Sequence, residues 1–241
     1  MLLTIKDLPN VLSTFLKPIS VLTEIASIEI TPNGAKCLSR TPDNQLILYA
    51  QTQNLVSEEE LILNLADCKN FEKLLSSISE PTISLNYDVN SISYKSKNFK
   101  FKYHLLDESL VQQFSLNISK IENFETDLNF TVLGEVFDTI LKRSSIVTDV
   151  NKVYFYFEDG QIIAEITDRA KSNLNSVSLS LGSTDIVHST VFPVSLECIR
   201  NLSFSKKDVL GFKINSKQGV IIVEISNEFS KLKYIITTLT K

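Results

Sequence analysis

Apolar residues recur along this chain at two periods. Leu8, Val11, Leu12, Phe15 and Leu16 stand at i, i+3, i+4, i+7 and i+8, which predicts an amphipathic helix over residues 8–17. Pro9 falls in its first turn, where a missing N–H costs little. The same ungapped stripe returns at Leu133, Val136, Phe137, Ile140 and Leu141, and Lys142 and Arg143 end it. Two further stripes predict helices over residues 67–78 (Phe71, Leu74, Leu75, Ile78) and 194–202 (Ser195, Cys198, Ile199, Leu202), the latter introduced by Pro193.

Between these stripes the period falls to two. Strands are expected over residues 21–31, 35–39, 45–52 and 61–65, then 82–87, 91–95 and 99–105. The second half repeats the theme at 153–158, 161–167, 176–181, 209–214, 220–226 and 232–238. Pro32-Asn33-Gly34, Pro42-Asp43-Asn44 and Asp159-Gly160 read as turns, the last a pair that tolerates positive φ.

Aligning the helix that starts at Leu8 with the one that starts at Leu133 puts Lys17 on Lys142 and brings Gly34 within one residue of Gly160. Matching Leu75 with Leu202 needs about the same offset, and the strand–turn–strand after each pair then coincides. A helix-and-strands unit is therefore used four times, grouped as two similar halves. Residues 106–127 alternate weakly and read as a surface connector. The expected domains are 1–106 and 128–241, joined by a connector at 107–127.

A chain of 241 residues can bury roughly 70% of its unfolded surface without help from disulfides or metals. The hydrophobic content of 43% and charged content of 22% are ordinary for a globular protein. No apolar run approaches the ~20 residues of a membrane span. Met1-Leu2-Leu3 followed by Lys6 and Asp7 fits no secretory leader, so a cytoplasmic location is expected. Cys37, Cys68 and Cys198 are odd in number and lack paired spacing, as expected of inert thiols in a reducing compartment.

Catalytic signatures are missing. His104 and His188 stand apart from any cysteine or acid at ligand spacing, so no metal is expected. The six glycines form no phosphate-cradling loop, and no Ser or Cys sits in a recognisable elbow. Thr167-Asp168-Arg169, at a strand end, reads as a turn-capping or solvated ion pair. Neither enzymatic activity nor a cofactor is expected.

Charge is unevenly spread. The four helices with their exits hold nine basic and six acidic residues, an excess of three, so the rest must carry seven net negative charges to reach −4. Acids at helix starts and bases at helix ends account for part of this through the helix dipole. The other account is a shared helix face that meets a polyanion, with attraction that is weak, salt-sensitive and independent of sequence.

Two helix–sheet halves, a long connector, mildly basic helices and an acidic remainder together resemble the DNA sliding clamps of the PCNA type and of tailed phages. Residues 15–51 resemble a clamp's first helix, hairpin and third strand, and residues 68–88 its second helix and strand. Residues 99–109 resemble the entry to the interdomain connector. Residues 136–168 resemble the opening of the second domain, and residues 231–241 its closing strand. The likeness is one of pattern over almost the whole chain.

The resemblance implies an α+β DNA-clamp fold, with two similar domains that each pack two helices on antiparallel sheets, forming a ring. It implies a non-catalytic processivity factor for DNA replication, a homotrimer that encircles duplex DNA and tethers a replicative polymerase after a clamp loader places it. The chain's size suits a phage polymerase accessory protein. Alternatives are a checkpoint-type subunit of a hetero-ring and a β-rich structural phage ring protein. Residues implied to face DNA are Lys17, Lys69, Lys73, Lys142, Arg143, Arg200, Lys206 and Lys207. The chain departs from the family at Ser76, Thr139 and Phe204, where the family carries lysines. The implied subunit contact pairs a strand with Phe99, Phe101, Tyr103 and Leu105 against one with Val177, Leu179 and Leu181 of the next subunit. The implied partner-peptide pocket draws on Leu110, Val111, Phe114, Tyr234 and Ile235.

Overall fold

The computed structural model describes residues 1–111, 124–171 and 174–239. It divides into two compact units, Met1–Ile118 with Ser226–Leu232 and Ser119–Ile225 with Lys233–Lys241. Much of the expected connector, residues 112–123, lies outside the described residues.

The first unit runs β1 (Leu2–Ile5), α1 (Leu8–Val11), a π-helical turn (Leu12–Leu16), α2 (Lys17–Leu22), β2 (Ala26–Thr31), β3 (Gly34–Arg40) and β4 (Leu46–Thr52). It continues with β5 (Leu55–Ser57), β6 (Leu61–Leu65), α3 (Cys68–Ser76), β7 (Ile83–Asp88), β8 (Ser91–Lys95) and β9 (Lys100–His104), followed by a 3-10 turn at Glu108–Leu110. Its strands are ordered β5-β1-β7-β8-β9 in one sheet and β6-β2-β3-β4 in another. The second unit runs β10 (Leu128–Leu133), α4 (Gly134–Arg143), β11 (Lys152–Glu158), β12 (Gln161–Ile166) and β13 (Val177–Ser183). Then come β14 (Phe192–Ser195), α5 (Leu196–Arg200), β15 (Val209–Asn215), β16 (Val220–Ser226) and β17 (Ser230–Thr237). Here the orders are β14-β11-β12-β13 and β10-β15-β16-β17.

Each unit is thus two βαβββ motifs that exchange their first strands. β1 and β10 join the later motif's strands, whereas β6 and β14 join the earlier motif's. The fourfold repeat expected from the sequence is present in this form. Three of the four motif-opening strands, β1, β10 and β14, were not expected, and neither was β5. β1 and β14 have four residues and β5 three, and each of β1, β10 and β14 runs almost directly into a helix, so the helical stripe masks the alternation. Pro193 lies within β14 instead of opening a helix. It is tolerated because β14 is a sheet edge, where an absent N–H breaks no ladder.

The first helix also outruns its expected end at Lys17. It continues to Leu22, so residues 21–22, expected as strand, are helical. Pro18 explains the intervening π turn. A proline ring collides with the carbonyl four residues back, and a widened turn removes the collision. The Lys17 N–H accordingly bonds to the Leu12 carbonyl five residues back.

The cores are apolar and aromatic. Leu3, Ile5, Leu8, Phe15, Ile19, Ile28 and Ile30 are fully buried in the first unit. In the second, Phe212 gathers Phe130, Phe137 and Phe155 with ring centroids 5.0, 5.6 and 6.0 Å away. Asp159 and Gly160 both take positive φ in the β11–β12 turn, as that pair predicted. Gly134 opens α4 against the 205–208 loop, where its N–H bonds to the Asp208 carbonyl at 2.8 Å. A Cβ there would overlap the Ser205 carbonyl oxygen. Gly134→Ala is expected to cost about 1–3 kcal/mol of unfolding free energy. Urea denaturation measures this, and an unchanged midpoint would contradict the close approach.

Candidate nucleic-acid interface and partner cleft

All eight cations proposed from the sequence are exposed. In the first unit Ser20 of α2 donates a hydrogen bond to the Glu72 carboxylate of α3 and so fixes the two helices together. This leaves Lys17 and Lys73 with no ion pair among the described residues. Lys69, one turn before Lys73, instead lines a cleft described below.

In the second unit two of the cations share one carboxylate. Lys142 Nζ is 2.7 Å from Asp138 Oδ2, one helical turn back, and Lys206 Nζ is 3.8 Å from the same oxygen. The hydrogen bond from Lys142, and then the charges of both lysines, hold the Asp138 carboxyl below the usual carboxylate range. That same bond raises the Lys142 ammonium. Arg200 Nη2 donates to Ser144 Oγ at 3.3 Å, tying α5 to the end of α4 beside Arg143. Lys206 and Lys207 sit on the 205–208 loop, which is closed by Ser205 N–H donating to Asp208 Oδ2 at 2.7 Å.

Strand cations are divided, since Lys95, Lys100, Lys102 and Lys231 have no ion pair among the described residues and four others do. Lys36 pairs with Glu29 at 2.8 Å, Lys213 and Lys233 both pair with Glu224, and Lys152 pairs with Asp168. Arg143, Lys207 and Arg200, like Lys17 and Lys73, have no ion pair among the described residues. Helix-dipole complementarity accounts for Lys73, Lys142, Arg143 and Arg200, which lie in last turns. It does not account for Lys17, in the middle of the continuous 8–22 helix, or Lys69, in a first turn.

The three departures have structural reasons. Phe204 packs edge-on against Phe137 at 5.5 Å. Ser76 and Thr139 turn their hydroxyls back onto the carbonyls of Lys73 and Glu135.

The strands implied as subunit contacts are both sheet ends, β9 in one sheet and β13 in another. Phe99 and Phe101 are half-buried and cluster with Tyr94 at 5.9–6.2 Å. Val177, Leu179 and Leu105 are also half-buried. Tyr103 and Leu181 turn inward and are buried within their own units. The Tyr103 hydroxyl accepts from Asp67 N–H and donates to Asp67 O, so it holds the start of α3.

One residue of the implied partner pocket does not reach the surface. Tyr234 is fully buried, and its hydroxyl accepts from Ser203 N–H at 3.0 Å. It is a core residue, and burial raises its phenol pKa. Ile235 is half-buried, and Phe114 lies outside the described residues. Leu110 and Val111 do line a cleft of about 1020 Å³ in the first unit, with Leu38, Pro42, Val21, Ile25 and Ile62. Val21, Ile25 and Ile62 are 43–47% exposed and were missed by the sequence reading. The one signal for Ile62 was its outward position between Leu61 and Leu63.

Thr167-Asp168-Arg169 is a built turn. Asp168 Oδ1 accepts from Lys152 Nζ at 3.0 Å and Ala170 N–H at 3.2 Å. Arg169 donates through Nε and Nη2 to Glu165 Oε2, and its guanidinium lies 4.9 Å from the rings of Tyr154 and Tyr156. No group of three or more metal-ligating side chains occurs among the described residues. No helix among them is long and apolar enough to cross a membrane.

These features define a two-unit α+β chain of exchanged βαβββ motifs, with exposed cations on its helices. That is the DNA-clamp fold of the PCNA sliding clamps, as solved structures show. PCNA of A. fulgidus, determined with the C-terminal region of FEN-1 bound, superposes with a TM-score of 0.77 at 15% identity, covering 100% of this chain and 99% of that one. Proliferating Cellular Nuclear Antigen of Entamoeba histolytica gives 0.76 at 14% identity, covering 99% and 98%. The PCNA2–PCNA3 complex of Sulfolobus tokodaii gives 0.72 at 14%, covering 99% of each chain. No family model matches the sequence, and no curated protein does.

Replacing Tyr234 by Phe removes the acceptor for the part-buried Ser203 N–H. It is expected to lower stability by about 1–3 kcal/mol. Equal urea midpoints for Tyr234→Phe and the parent would show that the bond is dispensable.

Proposed function

We propose that this protein is a sliding clamp, a non-catalytic scaffold that encircles duplex DNA and tethers a replicative polymerase. The observation that carries the reading is the match of fold along the whole chain to PCNA, with a TM-score of 0.77 and both chains covered almost end to end. Exposed helix cations without ion pairs among the described residues support a helix face toward the phosphate backbone. The charge excess is too small for tight binding, so retention comes from topology and the cations supply only weak, sliding contact.

In this reading, domains 1–106 and 128–241 are joined by a connector over 107–127, and three chains close head to tail through β9 of one and the β13 edge of the next. Among the described residues both edges are otherwise unpaired ladders, which proteins seldom leave open. The residues toward DNA are Lys17, Lys73, Lys142, Arg143 and Arg200, with Lys69, Lys206 and Lys207 contributing less. The cleft beside Leu110 and Val111 takes a segment of a partner, as A. fulgidus PCNA takes the C-terminal region of FEN-1. A clamp loader and a polymerase are the expected partners.

A second reading is favoured by the PCNA2–PCNA3 complex, in which distinct clamp chains associate. This chain would then be one member of a hetero-ring. Light scattering at micromolar concentration separates the two, since a homotrimer is expected and a stable monomer would leave only the hetero-ring. Reversing Lys73, Lys142 and Arg143 together to Glu is expected to reduce processive synthesis about tenfold or more in low salt. Undiminished synthesis would place DNA elsewhere. After loading, retention on closed circular DNA with loss from linear DNA is expected, and equal retention on both would reject encirclement.

A further inference from the structure

Asp138 stands out among the acids of the second unit. It lies on the same helix as Lys142 and Arg143, and one of its oxygens is shared by ammonium groups from two elements, Lys142 on α4 and Lys206 on the 205–208 loop. The convergence is built into the backbone. The loop is pinned to the start of α4 by Gly134 N–H to Asp208 O at 2.8 Å and Glu135 N–H to Lys206 O at 3.1 Å. Only a glycine at position 134 allows so close an approach. Asp138 is the less exposed partner, with its side chain 23% accessible, whereas Lys142 and Lys206 are 63% and 65% accessible. The carboxylate therefore sits low between two outward-reaching cations, much as a phosphate oxygen would bind between them.

The first unit has no counterpart. Its helix acid Glu72 is engaged by the Ser20 hydroxyl, and Lys17 and Lys73 have no carboxylate partner among the described residues.

We infer that Asp138 is an internal phosphate mimic, a carboxylate that competes with the DNA backbone for Lys142 and Lys206 and so weakens the second unit's grip on DNA. The inference rests on the DNA-facing reading above and deepens it by assigning a residue that sets the strength of contact. Each phosphate that displaces Asp138 must break two existing ion pairs. The two lysines therefore add less binding, and less salt dependence, than two unpartnered cations would. Contact stays transient, and the protein can move along the duplex.

The test uses the full-length protein with a short duplex oligonucleotide as probe, with affinity read by fluorescence anisotropy across a salt series. Asp138→Asn is nearly isosteric and removes the charge. It is expected to bind about three- to tenfold tighter at low salt, with a slope of log affinity against log salt steeper by about one to two. Asp138→Glu retains the charge and is expected to stay close to the parent. Glu224→Gln is the charge-matched control, because Glu224 is likewise bracketed by two lysines but lies on β16, 2.7 Å from Lys213 and 3.0 Å from Lys233. It is expected to leave the DNA slope unchanged. Thermal melts of each variant establish that the fold is intact.

If Asp138→Asn and Glu224→Gln tighten binding equally, net charge alone is responsible and the inference fails. If Asp138→Asn matches the parent while reversal of Lys73, Lys142 and Arg143 weakens binding, the inference fails and the DNA-facing reading stands. If neither set of changes has an effect, both fail.

Discussion

The arrangement depends on the exchange of first strands between the two βαβββ motifs of each unit. β1 lies between β5 and β7 in one sheet, yet the helix that follows it leads directly to β2 in the other. β10, α4 and β11 repeat this path. Each α-helix among the described residues is thereby anchored by a strand of one sheet before it and a strand of the other sheet after it. Helices as short as the five residues of α5 or the ten of α4 would be marginal alone. Their position comes from the ladders at either end and from tight seams such as Gly134 against the 205–208 loop. Short, firmly seated helices carry their charged residues on nearly fixed backbone, even where the side chains are long.

That rigidity gives meaning to a modest charge difference. Exposed ion pairs contribute little to stability, so their presence in the sheets says little about folding. Some strand cations are matched with acids on neighbouring strands, as Lys213 and Lys233 are with Glu224, and others such as Lys100 and Lys102 have no ion pair among the described residues. Helix cations are mostly unmatched, and Lys17 occupies a position that the helix dipole does not favour. Unmatched cations on a rigid face attract a polyanion without a fixed geometry of recognition, which suits contact that must not depend on sequence.

Much of this was legible in the chain. The stripe through Phe137 and Ile140 and alternating runs such as Val220–Ser226 showed their elements directly, because one buried face imposes one period, although Leu133, counted in that stripe, ends β10 and is exposed. The Asp159-Gly160 turn was legible because few residues accept positive φ. Short strands fused to helices were not, since four residues hold only two alternations and the neighbouring helical period dominates. Pro193 misled for a related reason, because the same residue opens a helix or sits on a sheet edge depending on pairing that only the tertiary fold decides. For the candidate site, exposure of the cations followed from their polar faces. The burial of Tyr234 did not, because a strand's inward face is set by its register, and a shift of one residue exchanges Tyr234 for Ile235.

Asp138 shows how far such local reading extends. Its spacing to Lys142 marks an ordinary i, i+4 pair on a helix, the commonest of surface interactions. Nothing in the sequence links it to Lys206, 68 positions later, because that contact exists only through the loop seated on Gly134. Two cations around one carboxylate differ from one, since the acid then occupies a site shaped for a doubly contacted oxyanion. In the proposed clamp, a ring held on DNA by topology would gain little from tighter contact, and each strong phosphate bond would add a barrier to movement. A carboxylate that yields to phosphate would keep the cations in place for the initial attraction while lowering that barrier. On that proposal the same two lysines without Asp138 would hold the duplex harder, and deleting them would forfeit the attraction.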